Sequence, residues 1–541
     1  MNKVMNRLAT GLVAAAALWL AACGGSGSSV QPPPPVGNFT LASLSGTYAF
    51  MTSGEVFTAN SLTATPMSRV GSFIADGKGG ISGGIEDVNA DGTVSPAVVI
   101  NSTGSSYSIN QDGRGTLILS GTSNGIPFTI NFAIVLTSGS SGTSAATDGL
   151  MIDETSTTNQ ASTGSGNFVL QNTALFQTSA VNGEYVFDFS GLDPNAAVSI
   201  VGEFSATSGA ITGGFEDAND NFALTSGPTG TGSFISDPSN PGSLASSGRG
   251  LATIAGETYA FYIVDSNRVR LISIGTGATT TPMLTGDAVA QSGVLTPSGG
   301  FAFIVAGTSG NGGVTRVGRF TANSGSVSNV LMDTNNAGIF TPTNSGQNAS
   351  ITLDSANPGR GTVTFKDPNL SVPFTFVFYF SSPTSGVIQE QSQSAANGLV
   401  DVADGSILAQ TGTFSSSTIS GAYGLNWSGL SVQNGSGFAT QDEEDFLGQA
   451  SLSSLNLTGT ADIFQFTNGA PRTDFGLGGS ITLGGDGTGS SAMRNTMTIN
   501  LNGAAPINFV VYFASPQLAF FANSNNSGTQ RIVAGVLKAQ Q

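Results

Sequence analysis

Across 541 residues the chain has no histidine, one cysteine and a formal net charge of −17, yet only 9% of its residues are charged while 39% are hydrophobic. The missing histidine excludes Ser-His-Asp and Cys-His machinery and removes the commonest ligand for zinc, copper and non-haem iron. The acidity argues against nucleic acid as a partner, since that affinity rests on Lys and Arg neutralising phosphates, and the apolar content sets the chain apart from charged disordered proteins.

The first element is a basic stretch with Lys3 and Arg7, followed by an apolar run from Leu8 to Leu20 and the small residues Ala21 and Ala22. That is the pattern of an export signal, and the run is shorter than the ~20 residues that span a bilayer. Leu20-Ala21-Ala22-Cys23 resembles the lipobox of bacterial lipoproteins. The resemblance implies that residues 1–22 are cut off as a signal peptide and that the Cys23 thiol receives a diacylglyceryl group. It further implies an amide-linked chain on the new N-terminus, and more than one acyl chain is what stable anchoring requires. Lipidation also accounts for a thiol that has no disulfide partner. Gly24 after the cysteine implies the outer membrane by the lipoprotein sorting rule. Residues 23–40, with Gly-Gly-Ser-Gly-Ser-Ser and then Pro32 to Pro35, read as a flexible and then stiff tether.

Beyond the tether the sequence repeats. An opening motif recurs at Leu44 to Phe50, Val181 to Phe187, Pro297 to Phe303 and Ile419 to Leu425, with Gly third and an aromatic fifth: Tyr48, Tyr185, Phe301 and Tyr423. A closing Gly-x-x-x-x-Gln recurs at Gly166 to Gln171, Gly286 to Gln291, Gly405 to Gln410 and Gly535 to Gln540. Four modules follow, 41–171, 172–291, 292–410 and 411–541, each of about 120 residues and large enough to close its own core. A module such as 172–291 is expected to fold alone.

Within each module, short runs rich in Val, Ile, Phe, Tyr and Thr alternate with Gly, Asn, Asp and Ser, which is a strand-and-turn pattern. The expected fold class is all-β, four tandem antiparallel modules of roughly seven or eight strands. Closure into a small up-and-down barrel removes exposed edges, and a two-sheet sandwich is the alternative. The opening Gly-x-Tyr-x-Phe strand resembles that of lipocalin- and avidin-type barrels, which implies the barrel and no particular ligand. The four fixed aromatics are expected in the cores.

Chemistry is sparse. Carboxylate pairs, as used in glycoside hydrolysis, are Glu86 with Asp87, Glu216 with Asp217, and Glu443, Glu444 and Asp445. Neighbours on a strand face opposite ways, so adjacent acids are not expected to share a cleft, and no catalytic pair is selected. Asp87-x-Asn89-x-Asp91-Gly92 matches the start of a calcium-binding loop, although position twelve is Val98 instead of Glu. Asp87, Asn89 and Asp91 are the candidate calcium ligands, and a plain Asx turn is the other reading. No other cofactor is expected. A Gly-Arg-Gly turn recurs at Arg114, Arg249 and Arg360, with Asp486 to Gly489 as its fourth copy lacking the arginine. It reads either as an anion contact or as an arginine that caps strand carbonyls or covers an apolar edge with its stem, with glycine supplying the turn.

The sequence therefore describes a non-enzymatic, lipid-anchored envelope protein whose tandem β-modules serve binding, adhesion or spacing. Its membrane partner is reached through the lipid on Cys23, and its protein or glycan partner is not specified. The alternatives are a binder of small apolar ligands in barrel cavities and a carboxylate hydrolase.

Overall fold

A computed structural model describes residues 37–541, apart from 59–63, 140–143, 157–159, 194–195, 276–280, 294, 311, 324, 343–347, 367–372, 393–400, 433–440, 466–470, 485–492, 503 and 526–529. Cys23, the signal segment and most of the tether lie outside these residues. The described chain forms four closed antiparallel barrels in succession, as expected for the fold class, and the sandwich alternative is set aside. In the first barrel the strands run Ser45–Thr58, Ala64–Asp76, Ile81–Ala90, Thr93–Ile109, Arg114–Ser123, Ile126–Leu136, Asp148–Ser156 and Gln160–Leu170, each pairing with its predecessor. The eighth closes on the first, with Tyr48 opposite Leu170 and Thr58 opposite Gln160. The second barrel runs from Gly183–Leu192 to Met283–Ala290, the third from Gly299–Ser309 to Val402–Ala409, and the fourth from Gly421–Val432 to Gln530–Ala539. In the second and third the fourth stave is broken in two, as Ala223–Pro228 with Gly232–Ile235 and as Ile339–Pro342 with Asn348–Leu353. Pro228 has no N–H to donate and so ends its segment of the ladder. Among the described residues every strand pairing lies within one module.

Alternation along each strand fills each barrel with its own apolar cluster. Tyr48, Tyr185, Phe301 and Tyr423 lie in these cores and are at most 1% exposed. Three of them solve the problem of a buried hydroxyl by donating to a carbonyl of the turn between strands six and seven: Ala146, Ser266 and Pro516 respectively. The first residue of the closing motif also has a physical reason. A Cβ on Gly166, Gly286, Gly405 or Gly535 would lie 1.8, 1.6, 2.2 or 2.3 Å from a first-strand carbonyl oxygen, so only glycine lets the eighth strand dock and close the barrel. Among the described residues no helix is long and apolar enough to cross a membrane.

Candidate functional site

The repeated polar motifs meet between barrels rather than within them. Asp87, on the third strand of barrel one, accepts two hydrogen bonds from Arg249 of barrel two, each 2.7 Å, and one from the Tyr262 hydroxyl at 2.5 Å. Asp217 of barrel two holds Arg360 (2.7 and 2.8 Å) and Tyr379 (2.5 Å) of barrel three in the same way. Asp333 of barrel three holds Arg494 (2.7 and 2.5 Å) and Tyr512 (2.6 Å) of barrel four. The series does not stop there, because Asp462 of barrel four binds Arg114 of barrel one at 2.6 Å. The four barrels thus form a closed ring.

The closing glutamines trace the same ring. Their amides donate to the carbonyls of Ile263, Phe380 and Phe513 in the next barrel, and Gln540 donates back to Leu136 of the first. The following residue pairs with the same edge through its backbone N–H: Asn172 to Val264, Ser292 to Ser381, Thr411 to Ala514 and Gln541 to Thr137. Small apolar clusters seal each seam, for example Ala49 and Val70 against Ala260, Tyr262 and Ile272. Such bidentate, hydrogen-bonded pairs are the geometry in which buried charges are tolerated, and they fix orientation between bodies.

The fourth seam is a reduced copy. Val135 stands opposite Arg114 where Tyr262 and Tyr379 stand opposite Arg249 and Arg360, and Phe464 occupies the place of Asn89, Asn219 and Asn335. Those asparagines donate to carbonyls of the next barrel, at Pro282, Asp401 and Arg531. Arg114 uses only its two terminal nitrogens, for Asp462 and the exposed Asp474, and its Nε has no partner among the described residues. Acids crowd this seam: burial pushes the Glu154 carboxyl up to about 8, with Asp462 adding to the shift and Arg114 opposing it. Burial likewise raises Asp445, to about 8, although Thr163 of barrel one donates to it.

The sequence-level candidates are redistributed accordingly. Both oxygens of Asp87 are taken by arginine and tyrosine, and the Asn89 amide is spent on the Ser273 and Pro282 carbonyls. Asp91 forms a turn in the left-handed region (φ 47°), its N–H donating to Pro66. Two of the three candidate calcium ligands are thus already engaged by barrel two, and the Asp87–Asn89–Asp91 segment is described by the turn reading. Millimolar Ca²⁺ is expected to leave the melting temperature of the mature protein unchanged, because a ligand stabilises only if the folded state binds it. A rise would reinstate the three residues as ligands.

Adjacent acids do separate by face. Glu86 points into barrel one against Arg69 (3.2 Å) while Asp87 points out. Glu444 lies inside barrel four, bonded to Trp427 and Arg531, while Asp445 faces barrel one. Arg114, Arg249 and Arg360 each direct their guanidinium at a carboxylate of another barrel. Their partner is the next or preceding barrel's aspartate. The fourth arginine is Arg494, one place before the Asn495 to Val511 pairing and so opposite Tyr512, not part of Asp486 to Gly489. Sequence reading missed Arg494, which stands in a polar stretch without the Gly-Arg-Gly turn, and the three tyrosines, which are embedded in apolar runs and carry no motif of their own. Buried acids elsewhere are shifted upward by burial, Glu216 and Glu390 each to about 7. In Asp217, by contrast, the hydrogen bonds from Arg360, Ser226 and Tyr379 outweigh burial and hold the carboxyl below its usual range.

No family model matches the chain, and no curated protein matches it. Among solved structures it is similar to isotype 1 transferrin binding protein B from serogroup B Neisseria meningitidis, at 10% identity over 72% of this chain and 84% of that one, with a TM-score of 0.19. A transferrin binding protein B mutant from Haemophilus parasuis gives 9% identity, 72% and 83% coverage and a TM-score of 0.19. At those scores the likeness carries no argument about what this chain binds.

Proposed function

We propose that this chain is a lipid-anchored protein of the bacterial envelope, on the outer membrane, whose four barrels act as one rigid platform for binding a partner outside the bilayer. The observation that supports a platform, rather than a flexible string of modules, is the ring. The pairing of Arg114 with Asp462 and of Gln540 with Leu136 ties the last barrel to the first, so the barrels hold one mutual arrangement. A Gly/Ser/Pro tether between Cys23 and the first strand then separates a fixed body from the membrane. Catalysis forms no part of this reading.

The anchor is tested by Cys23→Ser, which is expected to leave an uncut precursor that incorporates no labelled fatty acid. Normal cleavage and labelling of that variant would remove the lipoprotein reading. The platform is tested by small-angle scattering of the mature protein. A closed ring of this length gives a radius of gyration of roughly 25 Å, near the scaling for compact chains, whereas an extended row of four barrels gives a clearly larger value.

A further inference from the structure

In every barrel the hairpin between the third and fourth strands overhangs its neighbour, because the fifth strand does not reach its tip. In barrel one the fifth strand first pairs at Val99, so residues 93–98 keep one edge unpaired. In barrel four it first pairs at Leu477, which leaves residues 472–476. Ala223–Pro228 of barrel two and Ile339–Pro342 of barrel three pair with the third strand alone. An edge of this kind offers unmade backbone hydrogen bonds to any extended chain, and proteins blunt it with proline, charge or a bulge.

Three of these edges are blunted. Pro96 and a bulge at Ala97 (φ 53°) interrupt the one in barrel one. Arg472 and Asp474 (φ 56°) put charge and a bulge on that of barrel four. The edge of barrel three is 4 residues long and ends at Pro342. That of barrel two runs for 6 residues in unbroken register, from Ala223 opposite Asp220 to Pro228 opposite Phe215, with no charge and no proline before its end. Its turn residues Asn221 and Phe222 have φ 50° and 67°, the two-residue hairpin in which the flanking pair, Asp220 and Ala223, exchanges both bonds. Bonding alternates from there, so Leu224 and Ser226 direct N–H and C=O outward, and neither finds a backbone partner there among the described residues. Both are exposed, Leu224 at 39%. At Thr229 the N–H returns to Gly214, and the chain steps in to Gly232–Ile235, which takes up the fifth strand.

We propose that the free edge of Ala223–Pro228 takes up an extended basic segment of a partner protein as an added strand. In strand addition the main-chain bonds supply the affinity and neighbouring side chains the preference. Here the preference is electrostatic. Asp220 is exposed at the tip of this hairpin, where burial and then the nearby Asp193 raise its carboxyl, and Glu257 stands at the tip of the next hairpin, between strands five and six. A strand flanked by Lys or Arg is drawn to these acids. A second copy of this chain would instead set acids against acids, on a body whose formal charge is −17. The edge belongs to barrel two alone, so the proposal stands or falls apart from the anchor and the ring.

The test is fluorescence anisotropy of the mature protein with the labelled peptide Lys-Thr-Val-Thr-Val-Thr-Lys. Two matches accompany it, one N-methylated at its valines and threonines and one with Glu in place of both lysines. The parent peptide is expected to bind with a dissociation constant of about 1 mM or below, the Glu-flanked one roughly ten-fold more weakly, and the methylated one not measurably. Leu224→Pro removes an N–H that no strand of the barrel uses, and it is expected to abolish binding while the circular dichroism stays unchanged. Val94→Pro, at the same place on the already interrupted edge of barrel one, is expected to leave binding as it was. If Leu224→Pro fails to fold, the methylated peptide and Val94→Pro decide. No binding of the parent, binding of the methylated peptide, equal binding of the Glu-flanked one, loss of binding in Val94→Pro, or binding that survives in a folded Leu224→Pro would overturn the proposal. So would a dimer of the free protein in sedimentation that Leu224→Pro dissolves, because a second copy would then hold the edge.

Discussion

Asp87→Ala is expected to destabilise the protein by about 3–5 kcal/mol, because it strips the main partner from a charge that has no access to water. Arg249 is 0% exposed, and after the change it would keep only Asp237. Tyr262 would lose its acceptor as well. The double variant Asp87→Ala with Arg249→Met is expected to recover much of the loss, since no buried charge is then left over and the pair's own net value is small. Asp474→Ala supplies the contrast: its side chain is 74% exposed, and its bond to Arg114 is of the kind worth about 0–1 kcal/mol. Guanidinium unfolding of the three variants checks the order. An Asp87→Ala no worse than Asp474→Ala would mean that the seams do not hold the ring together.

The second large effect is in pH. Stability is expected to fall as pH rises from about 5 to about 8, the reverse of the usual dependence on paired carboxylates. Glu154 is raised from 4.5 to about 8, and Glu216 and Glu390 from 4.5 to about 7, in each case first by burial. These groups keep their protons in the folded state over a range where the unfolded chain has lost them. Their contribution is therefore fully present below the unfolded value and is lost as pH rises through the folded one. Asp217 and Asp237 work the other way, since both are lowered from 3.8 and favour the fold above that value. The optimum therefore lies between the two sets, near pH 4–5. A tenfold change in proton affinity between the folded and unfolded states is worth about 1.4 kcal/mol, so the three raised acids together amount to several kcal/mol, on the order of 5 °C or more in melting temperature. Glu154→Gln is expected to raise the melting temperature at pH 8 and leave it nearly unchanged at pH 5, because Glu154 Oε1 has no partner to lose. A melting temperature that is flat or rising between pH 5 and pH 8 would contradict the assignment.

The barrels were legible in the sequence because their cause is local. A strand that alternates apolar and polar residues must bury one face, an aromatic at one place per repeat must sit in a core, and a turn-rich chain without long apolar helical periodicity is left with sheets. Tyr48 and its three counterparts could be placed on that ground alone, and so could the separation of Glu86 from Asp87. The roles of the other motifs could not. Asp87 and Asn89 have the residue types of a metal loop, and nothing in their spacing says that an arginine 162 positions later in the chain will fill the carboxylate. Arg494 bears no sequence likeness to Arg249 beyond its type, and only the sheet register shows that both stand opposite a seam tyrosine. Periodicity and steric room within one repeat are enough to specify four β-modules, their core aromatics and the glycine that lets each barrel close. That the modules form a ring, and that Asp, Arg, Tyr and Gln are spent holding it shut, emerge only once the chain is folded. Each of those is a relation between surfaces distant in the chain, and local pattern carries no information about which surfaces meet.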